Sequence, residues 1–171
     1  MSLRRVLAAS ALCAFAGEAM AEEFASRAEA QHYLAAELPR ATAANPNYRT
    51  LSDGTVSQWL TQEIQFGDNA TVRMRERYTQ EKDGKTAPGT HEATFSLAEV
   101  EILDFTEAGD VTPEGAPARG VLFKCKAPGC VAAAWGSQPS KADKTDISIQ
   151  DDATRAKILG AFRFLKTNAG P

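Results

Sequence analysis

Residues 119–135, RGVLFKCKAPGCVAAAW, contain both of the cysteines that we expect in the mature protein, Cys125 and Cys130. Pro128 and Gly129 between them predict a turn, because proline presets φ and glycine accepts the positive φ of a type II turn. We therefore predict a β-hairpin in which Cys125 lies opposite Cys130, at a spacing that a disulfide tolerates. A redox-active pair is the alternative, but the C-x4-C spacing favours a structural bond.

The predicted hairpin has two apolar faces. One face would carry the cysteines with Val121 and Phe123 and would belong to the core. The opposite face would gather three apolar side chains, Leu122, Val131 and Trp135. Exposed apolar clusters often mark interaction sites, so this face is a candidate binding surface. The alternative is that Leu34 and Leu38 of an N-terminal helix cover it.

Residues 1–21 have the pattern of a secretory signal peptide. Arg4-Arg5 precedes an apolar run from Val6 to Gly17, and Ala19-Met20-Ala21 forms a small-x-small cleavage site. We therefore predict export to the periplasm or the extracellular space, with a mature chain that begins at Glu22. Such compartments are oxidising, which favours a paired state for the cysteines.

The mature chain, residues 22–171, has the size of a single domain. Loss of the signal peptide removes two arginines and one glutamate, so 150 residues remain and the formal charge changes from −3 to −4. The charges form no long run of one sign, which argues against a nucleic-acid partner. No later apolar run approaches the ~20 residues of a membrane span.

Hydrophobic periodicity predicts a helix at each end of the mature chain. Apolar residues at helical spacing indicate a first helix over about 27–42, with Pro39 inside it, and a last helix from Asp151 or Asp152 to about Lys166. Between the helices we predict seven strands: Val56 to Phe66, Thr71 to Gln80, His91 to Leu97, Glu99 to Phe105, the two strands of the cysteine hairpin, and Thr145 to Gln150. Residues 86–90, 106–118 and 136–144 are predicted to be loops.

The element order predicts an α+β protein. Strands that follow one another without crossover helices are mostly antiparallel, so we expect a strongly bent sheet or a small open barrel. Seven antiparallel strands and a C-terminal helix are also the element order of the pleckstrin-homology-like superfold. This is an analogy of order alone, and that superfold serves many unrelated functions.

The first two predicted strands pair about Asn69 in a register that separates apolar from charged residues. The apolar face would place Phe66 opposite Val72, Ile64 opposite Met74 and Leu60 opposite Tyr78. The other face carries the period-two row Arg73, Arg75 and Arg77. Arginines in a row can bind carboxylate or phosphate, so these three are candidate anion-binding residues. The favoured interpretation is a solvated face, with Glu63 and Gln65 as cross-strand partners.

Catalytic and metal-binding patterns are weak in this sequence. The histidines are His32 and His91, and neither falls in a recognised metal-binding or nucleophile motif. His91 beside Glu99 or Glu101 is the one carboxylate–imidazole pair that we consider. We predict no metal and no cofactor.

Three functions are therefore compared. The favoured one is an exported, non-catalytic binding module that recognises a protein or a small ligand. The second is an inhibitor of a secreted hydrolase that inserts residues 106–118. The third is an enzyme, or a redox protein that uses Cys125 and Cys130.

Overall fold

The computed structural model describes residues 24–44, 47–50, 56–109 and 119–168. The predicted signal peptide and residues 110–118 lie outside these ranges. The helices are α1 (Arg27–Ala44), α2 (Phe105–Ala108) and α3 (Asp152–Thr167). The strands are β1 (Asn47–Thr50), β2 (Val56–Phe66), β3 (Thr71–Lys82), β4 (Lys85–Ser96), β5 (Val100–Asp104), β6 (Gly120–Cys125), β7 (Val131–Trp135), β8 (Gln138–Ala142) and β9 (Lys144–Ser148). Short 3-10 turns at Asp68–Ala70 and Leu97–Glu99 join β2 to β3 and β4 to β5.

The strands form two open antiparallel sheets. Six strands pair in the order β1-β2-β3-β4-β7-β8, and three pair in the order β5-β6-β9. The predicted α+β class, with a helix before and a helix after antiparallel strands, is confirmed. The described residues contain nine strands rather than seven, because β1 and β8 are short and polar and lack the apolar alternation that reveals a strand. The 136–144 loop prediction is wrong for this reason.

The predicted cysteine hairpin is wrong, although its disulfide is confirmed. Strand β6 pairs with β5 and β9, whereas β7 pairs with β4 and β8, so the two strands belong to different sheets. Gly129 does take a positive φ of 74° in the connecting turn. The bond between Cys125 and Cys130 spans a Cα–Cα distance of 5.7 Å and joins the two sheets.

Burial explains the partition of β6 and β7. Residues 120–123 of β6 are all buried, so this strand needs cover on both faces and neighbours on both edges. Asp143, just before β9, fixes the cysteine turn beside the smaller sheet. Its carbonyl accepts a hydrogen bond from the Cys125 N–H at 2.8 Å, and its carboxylate accepts one from the Gly129 N–H at 2.7 Å.

Strands β3 and β4 form a long hairpin that the sequence predicted only in part. Its turn at Asp83-Gly84 is confirmed, with positive φ values of 52° and 71° that suit a type I′ turn. Residues 86–90, predicted to be a loop, belong to β4. Pro88 is tolerated there because β7 pairs with β4 only from His91 to Thr94, so the other edge of β4 has no ladder at Pro88.

The predicted pairing of β2 with β3 holds up to a bulge. Phe66 lies opposite Val72 and Ile64 opposite Met74, as expected. A register shift between Thr61 and Glu63 then places Trp59, and not Leu60, opposite Tyr78. The bulge adds a residue to one strand, and it brings a tryptophan to the inner face of the sheet.

The core lies between the two sheets and the two long helices. Both predicted helical stripes are buried, with Ala30, Leu34 and Leu38 from α1 and Ile158, Phe162 and Leu165 from α3. Helix α1 packs on β2 and α3, and α3 packs on β5 and β6. The ring of Phe123 lies 4.8 Å from both Phe95 and Phe162, so it links the two sheets to α3.

Candidate functional site: a cleft between the two sheets

The inner face of the larger sheet changes from apolar to polar along its strands. On β3 the buried residues Val72 and Met74 are followed at period two by buried Glu76. On β4, Phe95 and Ala93 lead in the same way to buried His91. Because β3 and β4 are antiparallel neighbours with Glu76 opposite His91, both ionisable side chains lie at the same place on the inner face.

Glu76 and His91 form a buried hydrogen-bonded pair. Each residue is only 8% exposed, and Glu76 Oε2 lies 2.9 Å from His91 Nδ1. A carboxylate can only accept, so the hydrogen lies on Nδ1, and in a neutral imidazole the lone pair is then on Nε2. Among the described residues, His91 has no second hydrogen-bond partner. The carboxylate partner of His91 is therefore Glu76 across the β3–β4 ladder, and not Glu99 or Glu101, the neighbours that the sequence offered.

Three aromatic rings pack around this pair. Trp59 lies 4.8 Å from Tyr78 and 5.4 Å from Trp135, measured between ring centroids. Trp135 also lies 4.3 Å from the His91 ring, in a tilted stack. Trp135 remains 44% exposed, so its ring contacts His91 and also faces solvent.

A cleft of about 290 Å³ lies against these residues. The larger sheet supplies the floor and one wall, β9 of the smaller sheet supplies the other wall, and α1 contributes its last turn. The lining residues are Thr42, Trp59, Thr61, Glu76, His91, Val131, Ala133, Trp135, Ser140, Lys141, Ala142, Lys144, Thr145, Asp146 and Ser148.

Among the described residues, two buried side-chain polar atoms of the lining have no hydrogen-bond partner. These are Trp59 Nε1 and Thr61 Oγ1, both buried. The backbone of Thr61, in contrast, is satisfied at the bulge, because its N–H donates to Thr42 Oγ1 at 3.1 Å. Thr42 donates in turn to the Leu38 carbonyl at 3.0 Å. An unpaired buried donor or acceptor costs about 1–3 kcal/mol of folding stability. The unpaired groups of Trp59 and Thr61 therefore destabilise the ligand-free protein at the cleft.

The three residues of the predicted binding surface, Leu122, Val131 and Trp135, do not lie on one face in the structure. Val131 and Trp135 line the cleft, as part of β7. Leu122 is 3% exposed and belongs to β6 in the other sheet, so it does not share their face. The residues Leu34 and Leu38, predicted as its possible cover, are fully buried in the core.

The arginine row lies on the opposite face of the larger sheet. All three arginines are exposed and alternate with Val72, Met74 and Glu76. Arg73 forms an ion pair with Glu92 at 2.7 Å, and Arg75 approaches the same carboxylate at 3.6 Å. The hydrogen bond between Arg73 and Glu92 raises the pKa of Arg73 and lowers the pKa of Glu92. The predicted cross-strand neighbours, Glu63 beside Arg75 and Gln65 beside Arg73, are confirmed.

The shallow recess on that face has a volume of about 120 Å³ and is lined by Glu63, Gln65, Arg73, Arg75 and Glu92. Two carboxylates there offset the arginine charge. Arg77 is not among the lining residues. Anion binding by the arginine row stays a prediction. The cleft between the sheets is the stronger candidate for a ligand site, because it has the larger volume and includes aromatic side chains.

Part of the predicted inhibitory loop lies outside the described residues, since 110–118 are not described. Its beginning is helical, because Phe105–Ala108 forms α2, with Asp104 as its N-cap. Across the described ranges, no group of three or more His, Cys, Asp or Glu residues could hold a metal ion. No helix in the same ranges is long and apolar enough to cross a membrane.

Comparisons with protein-family models, curated proteins and solved structures found no match to this chain. The functional proposal therefore depends on the cleft itself.

Sequence reasoning missed Glu76, Trp59 and Thr61 as residues of this site. A signal for Glu76 was present, because it continues the alternating positions of Val72 and Met74 and so places a carboxylate on an apolar face. His91 continues Phe95 and Ala93 in the same way. The position of Trp59 had no comparable signal, since it depends on the bulge.

Proposed function

We propose that this protein is an exported, non-catalytic binding module that holds a small ligand in the cleft between its two sheets. The observation that carries this proposal is the buried Glu76–His91 pair, which lies at the floor of a cleft beside Trp59 and Trp135. Buried ionisable groups are costly in an ordinary core. Because Glu76 and His91 lie beside Trp59 and Trp135 at a cleft, a role in binding a ligand explains them better than a role in core packing.

The size and lining of the cleft support a small ligand rather than a protein segment. Ligand sites are typically apolar or aromatic clefts of about 300–1,000 Å³ with a few placed polar groups. A volume of about 290 Å³ is just below the lower limit of that range. Trp59 and Trp135 provide the aromatic surface, and Glu76, His91 and Thr61 provide the polar groups.

Export is supported by the N-terminal sequence pattern and by the disulfide. Phe24, two residues after the proposed start of the mature chain, is 6% exposed and packs 5.4 Å from Tyr33 and 6.0 Å from Phe164. Cleavage before Glu22 would therefore leave the core intact. Intact-mass measurement of the exported protein should give a chain that starts at Glu22 and has no alkylatable thiol. A retained N-terminus or two free thiols would contradict this part of the proposal.

The binding function is tested by a thermal-shift screen of the exported protein against a library of small metabolites. A ligand at about 100 times its Kd should raise the free energy of unfolding by about 2.7 kcal/mol. Its effect should be lost in Trp135→Ala and kept in Arg73→Gln, a matched change on the opposite face of the same sheet. Stabilising compounds that act through Arg73 and not through Trp135 would overturn the cleft as the binding site.

A second candidate is an acid–base enzyme, which the Glu76–His91 pair itself favours. An imidazole oriented by a carboxylate can accept a proton at Nε2 from a substrate hydroxyl or from water. Turnover of a bound compound by the unmodified protein, lost in His91→Gln while binding persists, would favour this candidate. A ligand recovered chemically unchanged after prolonged incubation supports the binding module instead.

A further inference from the structure

Three polar groups of the cleft form a complementary set that has no partner within the part of the chain that the structure describes. Trp59 Nε1 is a hydrogen-bond donor without an acceptor, and Thr61 Oγ1 can donate or accept but does neither. In a neutral imidazole, His91 Nε2 carries a lone pair, because Nδ1–H is directed to Glu76. A hydroxyl group both donates and accepts, so it fits this set better than a group that can do only one.

The charges that line the cleft are mixed in sign. Glu76 and Asp146 contribute carboxylates, while Lys141 and Lys144 contribute ammonium groups, and His91 pairs with Glu76. A cleft that selects an ion by charge carries an excess of one sign. The mixed lining therefore favours a ligand without net charge.

The aromatic rings also argue against a cationic ligand. The centroids of Trp59, Tyr78 and Trp135 lie 4.8–5.8 Å apart, so the rings are in contact with one another. A cage for a cation holds it between rings, within about 6 Å of their centroids. The three rings leave no such space, and they present an apolar wall rather than a cage.

Trp135 is the aromatic residue best placed to meet a ligand ring. It is 44% exposed, and it lies at the end of β7 beside the Gly136 turn, where φ is 58°. Solvent does not reach Trp59 Nε1 or Thr61 Oγ1, so a ligand gains access to them only when neighbouring side chains shift. Trp135 is the most exposed of the three rings, so its displacement is the one that would open a path to these atoms.

From these observations we propose that the ligand is a neutral ring compound bearing hydroxyl groups, of which a monosaccharide is the simplest example. Its ring packs on Trp135, and its hydroxyl groups accept from Trp59 Nε1–H and donate to His91 Nε2. This inference rests on the proposed small-ligand function of the same cleft.

Indole NMR signals test this proposal directly. The chain has two tryptophans, Trp59 and Trp135, so a ¹⁵N-labelled sample gives one indole N–H signal for each, assigned with Trp135→Phe. The neutral probes are D-glucose, D-galactose and myo-inositol, and the charged probes are choline and benzoate. At least one neutral probe should move the Trp59 signal downfield, because its N–H gains an acceptor. Trp59→Phe should weaken that probe's binding about 10-fold, whereas Arg73→Gln should not.

The possible outcomes distinguish a failure of the proposed ligand class from a failure of the proposed small-ligand function. If only choline or benzoate moves the indole signals, the neutral hydroxylated ligand is overturned while the small-ligand function stands. A neutral probe that moves only the Trp135 signal, with unchanged affinity in Trp59→Phe, also overturns it. If no probe and no library compound moves either signal, the proposed function fails together with the inference.

Discussion

The ring of Tyr78 lies directly over Gly89 on the neighbouring strand. A Cβ atom at Gly89 would fall 2.2 Å from the Tyr78 ring, far inside van der Waals contact. The same ring packs 4.8 Å from Trp59 and 5.8 Å from Trp135. The absence of a Cβ atom at Gly89 therefore leaves room for the Tyr78 ring, which packs on both tryptophans of the cleft.

Gly89→Ala is expected to displace Tyr78 and to destabilise the fold by about 1–3 kcal/mol, as overpacking does. The change should also alter tryptophan fluorescence, because both tryptophans contact Tyr78. Urea unfolding measures the stability. The control is Gly67→Ala, where φ is −100° and the added Cβ would lie 3.6 Å from Thr71 Cβ, an ordinary contact. Equal stability of the two variants would contradict the described packing.

Thr61→Val should stabilise the ligand-free protein by about 1 kcal/mol, because it removes a buried hydroxyl without a partner and keeps the side-chain shape. Thr42→Val is the matched control. It removes the hydroxyl that accepts from the Thr61 N–H and donates to the Leu38 carbonyl, so it should destabilise by about 1–3 kcal/mol. Thermal unfolding of both variants measures the difference. Destabilisation by Thr61→Val to the same extent would show that its hydroxyl has a partner.

The partly buried ion pair of Asp104 with Arg155 predicts a loss of stability at low pH. The atoms lie 2.7 Å apart, and the side chains are 13% and 12% exposed. Burial acts to raise the pKa of Asp104, but hydrogen bonds from Thr106 and Arg155 outweigh it and lower the pKa below its ordinary value of 3.8. The stabilisation is therefore complete above the unfolded-state pKa and is lost as pH falls through the lower folded-state pKa.

Asp104→Asn should consequently be less stable at neutral pH and should show a shallower decline in unfolding free energy below about pH 4. Urea unfolding at a series of pH values measures the slope. Asp68→Asn, at an exposed carboxylate between β2 and β3, is the control for the loss of one carboxylate. An unchanged slope in Asp104→Asn would contradict the assignment.

Loss of the Cys125–Cys130 bond should affect both stability and the cleft. A closed loop of this length contributes about 2 kcal/mol in the chain-entropy model, so Cys125→Ala with Cys130→Ala should lower the free energy of unfolding by about that amount. Because the bond joins the two sheets whose strands line the cleft, affinity for any cleft ligand should fall as well. Titration with and without reductant measures this effect, and the double variant should not respond to reductant. Unchanged affinity after reduction would show that the bond does not hold the cleft.

The sequence predicted which faces are buried better than it predicted which strands are neighbours. Alternation and helical spacing correctly identified the buried stripes of α1 and α3, and the register of β2 with β3 as far as Ile64. Periodicity carries no information about partners, so the short connection between Cys125 and Cys130 was interpreted as a hairpin. The two strands instead enter different sheets.

The site was only partly predictable for the same reason. Val131 and Trp135 were identified from their apolar character, but Glu76 was passed over among the charged residues of β3. Trp59 lies at the cleft because a bulge shifts the register of β2, and local propensity does not reveal a bulge. The Glu76–His91 pair needed the β3–β4 register, which a misassigned loop at 86–90 concealed.

The most direct test of a ligand-binding cleft is chemical-shift mapping on the exported, ¹⁵N-labelled protein, titrated with the low-molecular-mass filtrate of extract from its own compartment. The cleft account predicts that the affected amides cluster at Thr61, Glu76, His91 and Trp135, with the Trp59 indole signal among those that move. Shifts confined to the Arg73 and Arg75 face, or a spectrum that the filtrate leaves unchanged, would contradict it.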